Sequence, residues 1–512
     1  MNETIVKHLN FGKDAKDKVF LGIEKLTSAV SSTLGASGKC VIMEDSNGNP
    51  QITKDGVTVA NSIVLLDPVE NMGAKLIKEA ARKTVKEAGD GTTTATVLAH
   101  AILEETYKLE NFNSREVKKG IKLAVEKVVQ YLENNSSTIE DDKIKQVATI
   151  SANNDEELGE VIYQAFKSVD NTGIVLMETH EEPTIIVERI EGVKIESGFA
   201  SENFITNKVD RTVELNNSLV LIIDSVVDNI RKIQSVLEYV IKANKSLLIV
   251  ADVDKQVSNA LSMNKIKGNI KVSVVPAPVF GVSRKETLDD LALITGATVI
   301  NEELGDDIDL ISVDHLGSCK KVITDADSTL IQVEKMPDEV DDVVKELVVK
   351  INKEKNNLFK EKLEKRLSRL LAKLAIIKVG ANSEIELKEK KDRVEDAICA
   401  TKAAIKEGIL PGGGIALLNA SQNITANDEG EKILLKSIKS PFNTILKNAG
   451  ISSYETPNIE GKGLDVVTGS YVSMVESGII DPLLVTKSAL KNAASVASTI
   501  LSTDCVINNL RA

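Results

Sequence analysis

A chain of 512 residues exceeds what one hydrophobic core supports, since cores stop growing at roughly 250 to 300 residues, so several domains are expected. With 42% hydrophobic and 27% charged residues it has the composition of an ordinary globular protein, neither disordered nor membrane-embedded. A formal net charge of -13, only 3% aromatics and no Trp argue against nucleic acid as a partner, because both a cationic surface and stacking platforms are lacking.

Cys40, Cys319, Cys399 and Cys505 form no CxxC pair and read as free thiols in a reducing cytoplasm. No apolar run reaches the roughly 18 residues of a membrane span, and residues 1–17 lack a signal-peptide apolar region. A cytoplasmic protein without a membrane partner is expected.

In chain order, Val19, Ile23, Leu26 and Val30 recur at steps of three and four, which predicts a helix ending before Gly35. A hairpin is expected over 41–43 and 51–53, with Ser46-Asn47-Gly48-Asn49 as its turn and Lys54-Asp55-Gly56 closing the second strand. Leu76, Ile77, Ala80, Ala81 and Val85 mark an amphipathic helix that stops at Gly89, and another helix starts within Thr92-Thr93-Thr94. Between about Gly192 and Ile300, short buried strands over 219–223, 247–250 and 272–275 alternate with helical stretches, as in an α/β layer. From Pro337 two helical stripes follow. Val340, Val343, Val344, Leu347 and Ile351 form one, and Leu363, Leu367, Leu370, Leu371 and Leu374 the other, with a break at Asn356-Asn357. Charges beside the second stripe, among them Glu364 and Arg366, read as a solvated face. A helix over 393–405, Pro411-Gly412-Gly413-Gly414 and further helices complete the chain. Helical ends around an α/β middle suggest one discontinuous domain with another inserted in it.

Gly89-Asp90-Gly91-Thr92-Thr93-Thr94 places a glycine turn at a helix N-terminus, where unpaired N–H groups and the helix dipole face an anion. Asp90 would repel a bare phosphate but becomes useful where magnesium bridges carboxylate and phosphate oxygens. Alone, the segment is equally an ordinary Asp-Gly turn. The absence of GxxxxGK[ST] argues against a P-loop enzyme.

Beside it stand Thr33-Leu34-Gly35, Lys54-Asp55-Gly56, Glu70-Asn71-Met72-Gly73-Ala74, Ile150-Ser151-Ala152-Asn153, Lys388-Glu389-Lys390-Lys391, Arg393-Val394-Glu395-Asp396-Ala397, Gly412-Gly413-Gly414 and Gly478-Ile479-Ile480-Asp481-Pro482. In this order they resemble the group I chaperonins, the GroEL family, over essentially the whole chain. The resemblance implies a multidomain α and α/β fold: a helical equatorial ATPase domain (1–135 and 408–512), a small intermediate hinge domain (136–191 and 373–407) and an α/β apical domain (192–372). It implies an ATP-dependent chaperone that works as a homo-oligomeric, heptameric ring, single or double, on unfolded client proteins, with the use of a co-chaperonin left open. Thr33, Leu34, Gly35, Lys54, Asp90, Gly91, Thr92, Thr93, Thr94, Ile150, Gly412, Gly413, Asp465, Ile479 and Asp481 would surround ATP. Asp90 would hold Mg2+, and the carbonyls of Thr33 and Lys54 would face K+. Asp55 and Asp396 would act on the attacking water, Asp396 being delivered by the intermediate domain as the subunit closes. Phe199, Phe204, Ile233, Leu237, Leu261 and Met263 would line an exposed apolar client groove.

Some positions depart from the family pattern. Asn203, Gln234, Ser258 and Ser262 are polar in the groove, which predicts a narrower client range or weaker co-chaperonin binding. Gly192 and Gly408 are kept at hinge positions, while Ala372-Lys373 replaces a glycine pair. Ala36 stands for proline, Asp465 for asparagine, and the stretch 448–462 is short near the expected ring contact. This pattern suggests a divergent chaperonin of virus-encoded type, acting in that case in the host cytoplasm. A passive holdase on the same fold and a small-molecule kinase using the same ATP site are the rival readings.

Overall fold

The computed structural model describes residues 7–44, 48–109, 112–169, 174–180, 182–208, 211–278, 282–354, 356–370, 373–452, 454 and 459–509. They form two compact units: Met1–Gln164, Met177–Ile186 and Lys378–Ala512 make the first, and Ala165–Leu176 with Val187–Ile377 the second.

The first unit is a helical body. Val19, Ile23, Leu26 and Val30, the stripe read from the sequence, are buried on helix Gly12–Ser31. Helix Pro68–Ala88 crosses it, starting where Asp67 accepts from the N–H groups of Val69 and Glu70, with Pro68 in the first turn. The two backbones nearly touch. A Cβ on Gly22 would lie 1.9 Å from the Glu70 carbonyl oxygen, and one on Gly73 would lie 2.2 Å from that of Val19. This approach explains the glycine in Glu70-Asn71-Met72-Gly73-Ala74. Gly22→Ala is therefore expected to destabilise the first unit by about 3 kcal/mol, through forced separation of packed backbones, as read from the denaturant midpoint.

The predicted hairpin is present as Val41–Glu44 paired with Pro50–Thr53, although part of its expected turn, residues 45–47, lies outside the described residues. An unexpected antiparallel pair joins the two ends of the chain, Lys7–Phe11 with Cys505–Asn509. Ser137 and Ile409 also exchange backbone hydrogen bonds of 3.1 and 2.8 Å, next to Gly408, which caps helix Glu384–Glu407 at φ 92.

The second unit is built on a nine-stranded mixed sheet. Its order is Ile174–Thr179, Lys373–Val379, Ile185–Ile195, Thr329–Val333, Gly317–Thr324, Val213–Ile223, Ser246–Val250 and Lys271–Val275, with Val299–Ile300 also pairing Val213–Ile223. The last three strands of that order run parallel, linked through helices Gln234–Lys242 and Lys255–Ile266, as the α/β reading predicts. Gly192 pairs with Gln332 in the sheet, and its Cβ would meet the Ile331 oxygen at 2.3 Å. Close approach of a neighbouring strand is thus reason enough for the glycine. Ala372 lies outside the described residues.

Three expectations are corrected here. The helix Asn357–Leu370 ends before Leu374, which belongs to strand Lys373–Val379. Leu374, Ala375, Ile376 and Ile377 are all buried, so both faces of that strand are apolar and the period-2 signal is erased. Arg366 leaves the solvated face to pair at 2.7 Å with Asp290, which is 1% exposed on helix Val282–Thr295. Finally, Phe204, Ile233 and Leu261 are core residues, at 0%, 0% and 1% exposure, rather than groove lining. Full burial of each contributes roughly 1.5 to 3 kcal/mol, which exposure to a client would forfeit. Phe199 and Leu237 are partly buried against that core, and Met263 is the exposed member of the set. Among the described residues, no helix is long and apolar enough to cross a membrane.

Candidate functional site

A cavity of about 1070 Å³ opens in the first unit. One end is made by the Gly89 to Thr94 segment. Gly89, at φ 76, terminates helix Pro68–Ala88, and Gly91, at φ 94, caps helix Thr92–Tyr107. Left-handed backbone at both positions is glycine territory, and it turns the chain within three residues. The first bond of the new helix runs from Ala95 N–H to the Gly91 carbonyl at 2.9 Å. The N–H groups of Thr92, Thr93 and Thr94 are therefore left without intrahelical acceptors, and all three residues line the cavity.

Asp55 meets this loop from the neighbouring segment. It caps helix Gly56–Ser62, its two oxygens accepting from Val57 N–H at 3.0 Å and Thr58 N–H at 2.7 Å. A Cβ on Gly56 would lie 2.3 Å from Thr93 Oγ1, so only glycine lets the two segments close. Thr33 Oγ1 lies 3.5 Å from Thr93 Oγ1, bringing Thr33-Leu34-Gly35 to the same place. Helix Glu384–Glu407 contributes Asp392, Arg393 and Asp396, and the short strand Ile480–Pro482, paired with Ile409–Pro411, contributes Asp481.

The other end is apolar. Gly413 and Gly414, at φ 65 and 79, turn the chain so closely that a Cβ on Gly413 would meet Met474 Cε at 3.1 Å. Phe442, Leu464, Met474 and Ile479 line this part. The Oε1 atom of Gln146 is buried without a partner, beneath Gly478, and is an acceptor awaiting a donor.

Every residue expected around a nucleotide lines this one cavity except Gly412, which stands behind it and donates its N–H to the Ile479 carbonyl at 2.9 Å. Ile150 and Asp465 are on the wall. Both Asp465 oxygens are engaged, by Val467 N–H at 2.9 Å and Thr468 Oγ1 at 2.7 Å. Asp396 already faces the cavity in this conformation. Sequence reasoning missed Gln146, Lys145 and Asp392 as wall residues. A signal for Asp392 existed in its spacing of one helical turn from Asp396.

A profile of the TCP-1/cpn60 chaperonin family matches residues 26–511. The chain belongs to this family. Among solved structures it is similar to the chaperonin gp146 from the bacteriophage EL 2 (Pseudomonas aeruginosa), crystallised in the presence of ATP-BeFx. Crystal form II agrees with a TM-score of 0.77 at 22% identity, covering 100% of both chains. Crystal form I gives 0.69 at 22% identity over 98% of this chain and 99% of that one. The chaperonin fold therefore extends over the whole length.

The electrostatics of the chaperonin's cavity are lopsided. Asp55, Asp90, Glu156, Glu389, Asp392, Asp396, Asp465 and Asp481 line it, against Lys54, Lys145 and Arg393. Two of those cations are already neutralised, Arg393 by Glu389 and Asp155, and Lys145 by Glu160. Lys54 donates to the neutral Asn153 Oδ1 at 2.6 Å, and burial lowers its pKa. Burial, followed by repulsion from Asp55, raises the pKa of Asp90, whose carboxylate accepts from Gly91 N–H. Asp396 is raised well above the usual range by burial, then by Asp90 and Asp55. Burial and Asp90 push Asp481 up to about 7, against a hydrogen bond from Gly414 N–H.

Such a wall fits a cation. Among the described residues no three His, Cys, Asp or Glu side chains form a group able to hold a metal. Mg2+ in general takes one or two carboxylates and completes its shell with water and phosphate oxygens. Asp90 is half-buried in the wall, with no cationic partner among the described residues.

Proposed function

We propose that this chaperonin is the subunit of an ATP-driven folding machine, a ring-shaped homo-oligomer that hydrolyses ATP in this cavity to drive the folding of non-native proteins. The observation that supports it most is the excess of carboxylates beside an unpaired helix N-terminus. A triphosphate would be repelled by such a wall on its own, so binding calls for a metal complex.

Asp90 would hold Mg2+, and the carbonyls of Thr33 and Lys54 would face K+. Bound there, the divalent ion supplies charge neutralisation and Lewis acidity at the phosphates. The N–H groups and hydroxyls of Thr92, Thr93 and Thr94 hold phosphate oxygens. The apolar end, with Gly413, Met474 and Ile479, receives the base. Asp55 is locked by two backbone N–H groups and contributes fixed charge and orientation. Asp396 is held by no hydrogen bond from a described residue and has raised proton affinity, so it is suited to take the proton of the attacking water. In this reading 136–191 and 373–407 form the hinge that carries the nucleotide state to the second unit, where Met263, Phe199 and Leu237 present apolar surface to clients.

Assembly into a ring accounts for the apolar side chains left open on the first unit, including Phe11, Ile42, Val64 and the fully exposed Leu66. Native mass spectrometry and electron microscopy with and without ATP test the proposal. Seven-membered rings that change shape with nucleotide are expected, and monomers indifferent to nucleotide would remove it. Client capture should depend on Met263 more than on the buried members of the predicted groove. Met263→Asp is expected to weaken capture of a denatured protein several-fold in an aggregation-suppression assay without lowering the thermal midpoint.

A further inference from the structure

Most carboxylates lining the cavity are tied down by hydrogen bonds. Asp55 accepts from Val57 and Thr58, Asp90 from Gly91, Glu389 from Arg393, Asp465 from Val467 and Thr468, and Asp481 from Gly414. Among the described residues that are buried or half-buried there, Asp392 and Asp396 alone have carboxylates without a hydrogen bond or ion pair. Both project from helix Glu384–Glu407, four positions apart, which places them on one face with their Cβ atoms about 5 to 6 Å apart. Two free carboxylates at that spacing can pass a proton directly or across one water.

We propose that Asp392 is the second station of a proton path leading from Asp396 to solvent. This rests on the ATPase reading above. In the hydrolytic step the water oxygen bonds to the terminal phosphorus, while the bond from that phosphorus to the bridging oxygen breaks. The electron pair of the broken bond goes to the departing diphosphate. The proton lost by the water passes to Asp396, from there to Asp392, and then to bulk water, which restores both carboxylates for the next turnover.

The surroundings suit Asp392 to receive and release a proton near neutral pH. Burial and the facing Asp55 raise its pKa to about 6, with Glu395 adding to the rise and Lys388 and Lys391 opposing it. Asp396 is raised further, and Asp392 is among the charges raising it. A proton on Asp396 thus discourages one on Asp392, and the transfer relieves one repulsion as it creates another. Asp55 cannot do this work, because both of its oxygens are committed to backbone N–H groups.

Asp392→Asn keeps the shape and removes the proton acceptor. Steady-state phosphate release by this variant in the full-length protein is expected to fall about 10-fold in kcat at pH 7, with KM within about twofold of wild type. Acetate added to the assay should restore part of the loss, and Asp392→Glu most of it. The acid limb of the kcat–pH profile should also move in Asp392→Asn, which a merely structural role would not cause. A thermal midpoint no lower than that of wild type, with nucleotide affinity like that of wild type, shows that the variant is folded. If kcat and the pH profile of Asp392→Asn match wild type while Asp396→Ala is inactive, the relay is wrong and the ATPase reading stands. If wild type itself fails to hydrolyse ATP, both fall together.

Discussion

Replacing Asp396 with alanine is expected to lower ATP turnover at least about 100-fold, with nucleotide affinity changed only a few-fold. The asymmetry follows from where binding and chemistry reside. In the proposed binding mode the phosphates lie against the N–H groups and hydroxyls of Thr92, Thr93 and Thr94 and the base against the apolar end around Gly413, all of them cavity-lining groups distinct from Asp396. Asp396 lacks a hydrogen bond to any described residue, so its removal leaves no orphaned donor in the wall. Its deletion should even stabilise the protein free of nucleotide. The carboxylate is half-buried beside Asp90, Asp55, Glu395 and Asp392, and all of these charges disfavour its ionised form. Phosphate release, nucleotide titration and a melting curve on the same preparation check the three parts. A slower, less stable variant would point to structural damage, whereas a slower and more stable one marks a functional carboxylate kept at the expense of stability. Turnover equal to wild type would contradict the assigned role.

The parts of the fold that were legible in the sequence are those written in local patterns. Val19, Ile23, Leu26 and Val30 repeat at helical spacing because they face one core, and Gly89 marks a helix end because the backbone there is left-handed. The runs 247–250 and 272–275 stood out as compact apolar segments and lie within strands Ser246–Val250 and Lys271–Val275. The site was a different matter. Asp55, Asp90, Asp396 and Asp481 are separated by up to hundreds of residues, and nothing in composition or spacing states that four segments converge. Only the family resemblance joined them. The strand pairing of Lys7–Phe11 with Cys505–Asn509 was invisible for the same reason, since register between distant segments leaves no local mark. The groove failed for another reason. Phe204, Ile233 and Leu261 are apolar whether they face solvent or core, and residue type alone does not distinguish a binding surface from packing. Leu374 continued a leucine stripe by spacing, yet Lys373–Val379 is a strand because tertiary pairing outweighs a short helical pattern.

The strongest dependence on conditions should be on pH, with opposite signs in the empty and the loaded protein. In the unfolded chain an aspartate titrates near 3.9, whereas in the folded chain Asp481 is raised to about 7 and Asp90 is raised in the same direction. Between those values the folded state binds more protons than the unfolded one, so stability decreases as pH rises. This stabilisation is fully present below the unfolded pKa and lost as pH climbs through the folded one. For Asp481 alone the loss approaches roughly 4 kcal/mol between pH 4 and 7, the equivalent of about three pKa units. The empty protein should therefore melt at a lower temperature at pH 8 than at pH 6. Nucleotide with Mg2+ reverses the sign, because a cation held at Asp90 requires the ionised carboxylate and competes with its proton. Affinity for the magnesium complex should rise with pH from the ordinary carboxylate range upward, by up to tenfold per unit for each proton released. Asp90→Asn is expected to remove most of that pH dependence and to weaken the complex at least about 100-fold at pH 7.5, while raising the melting temperature of the empty protein. Calorimetric titrations in two buffers of different ionisation enthalpy measure the released protons directly. Binding that takes up protons, or an affinity flat across this range, would show that the carboxylate wall is not where the cation sits.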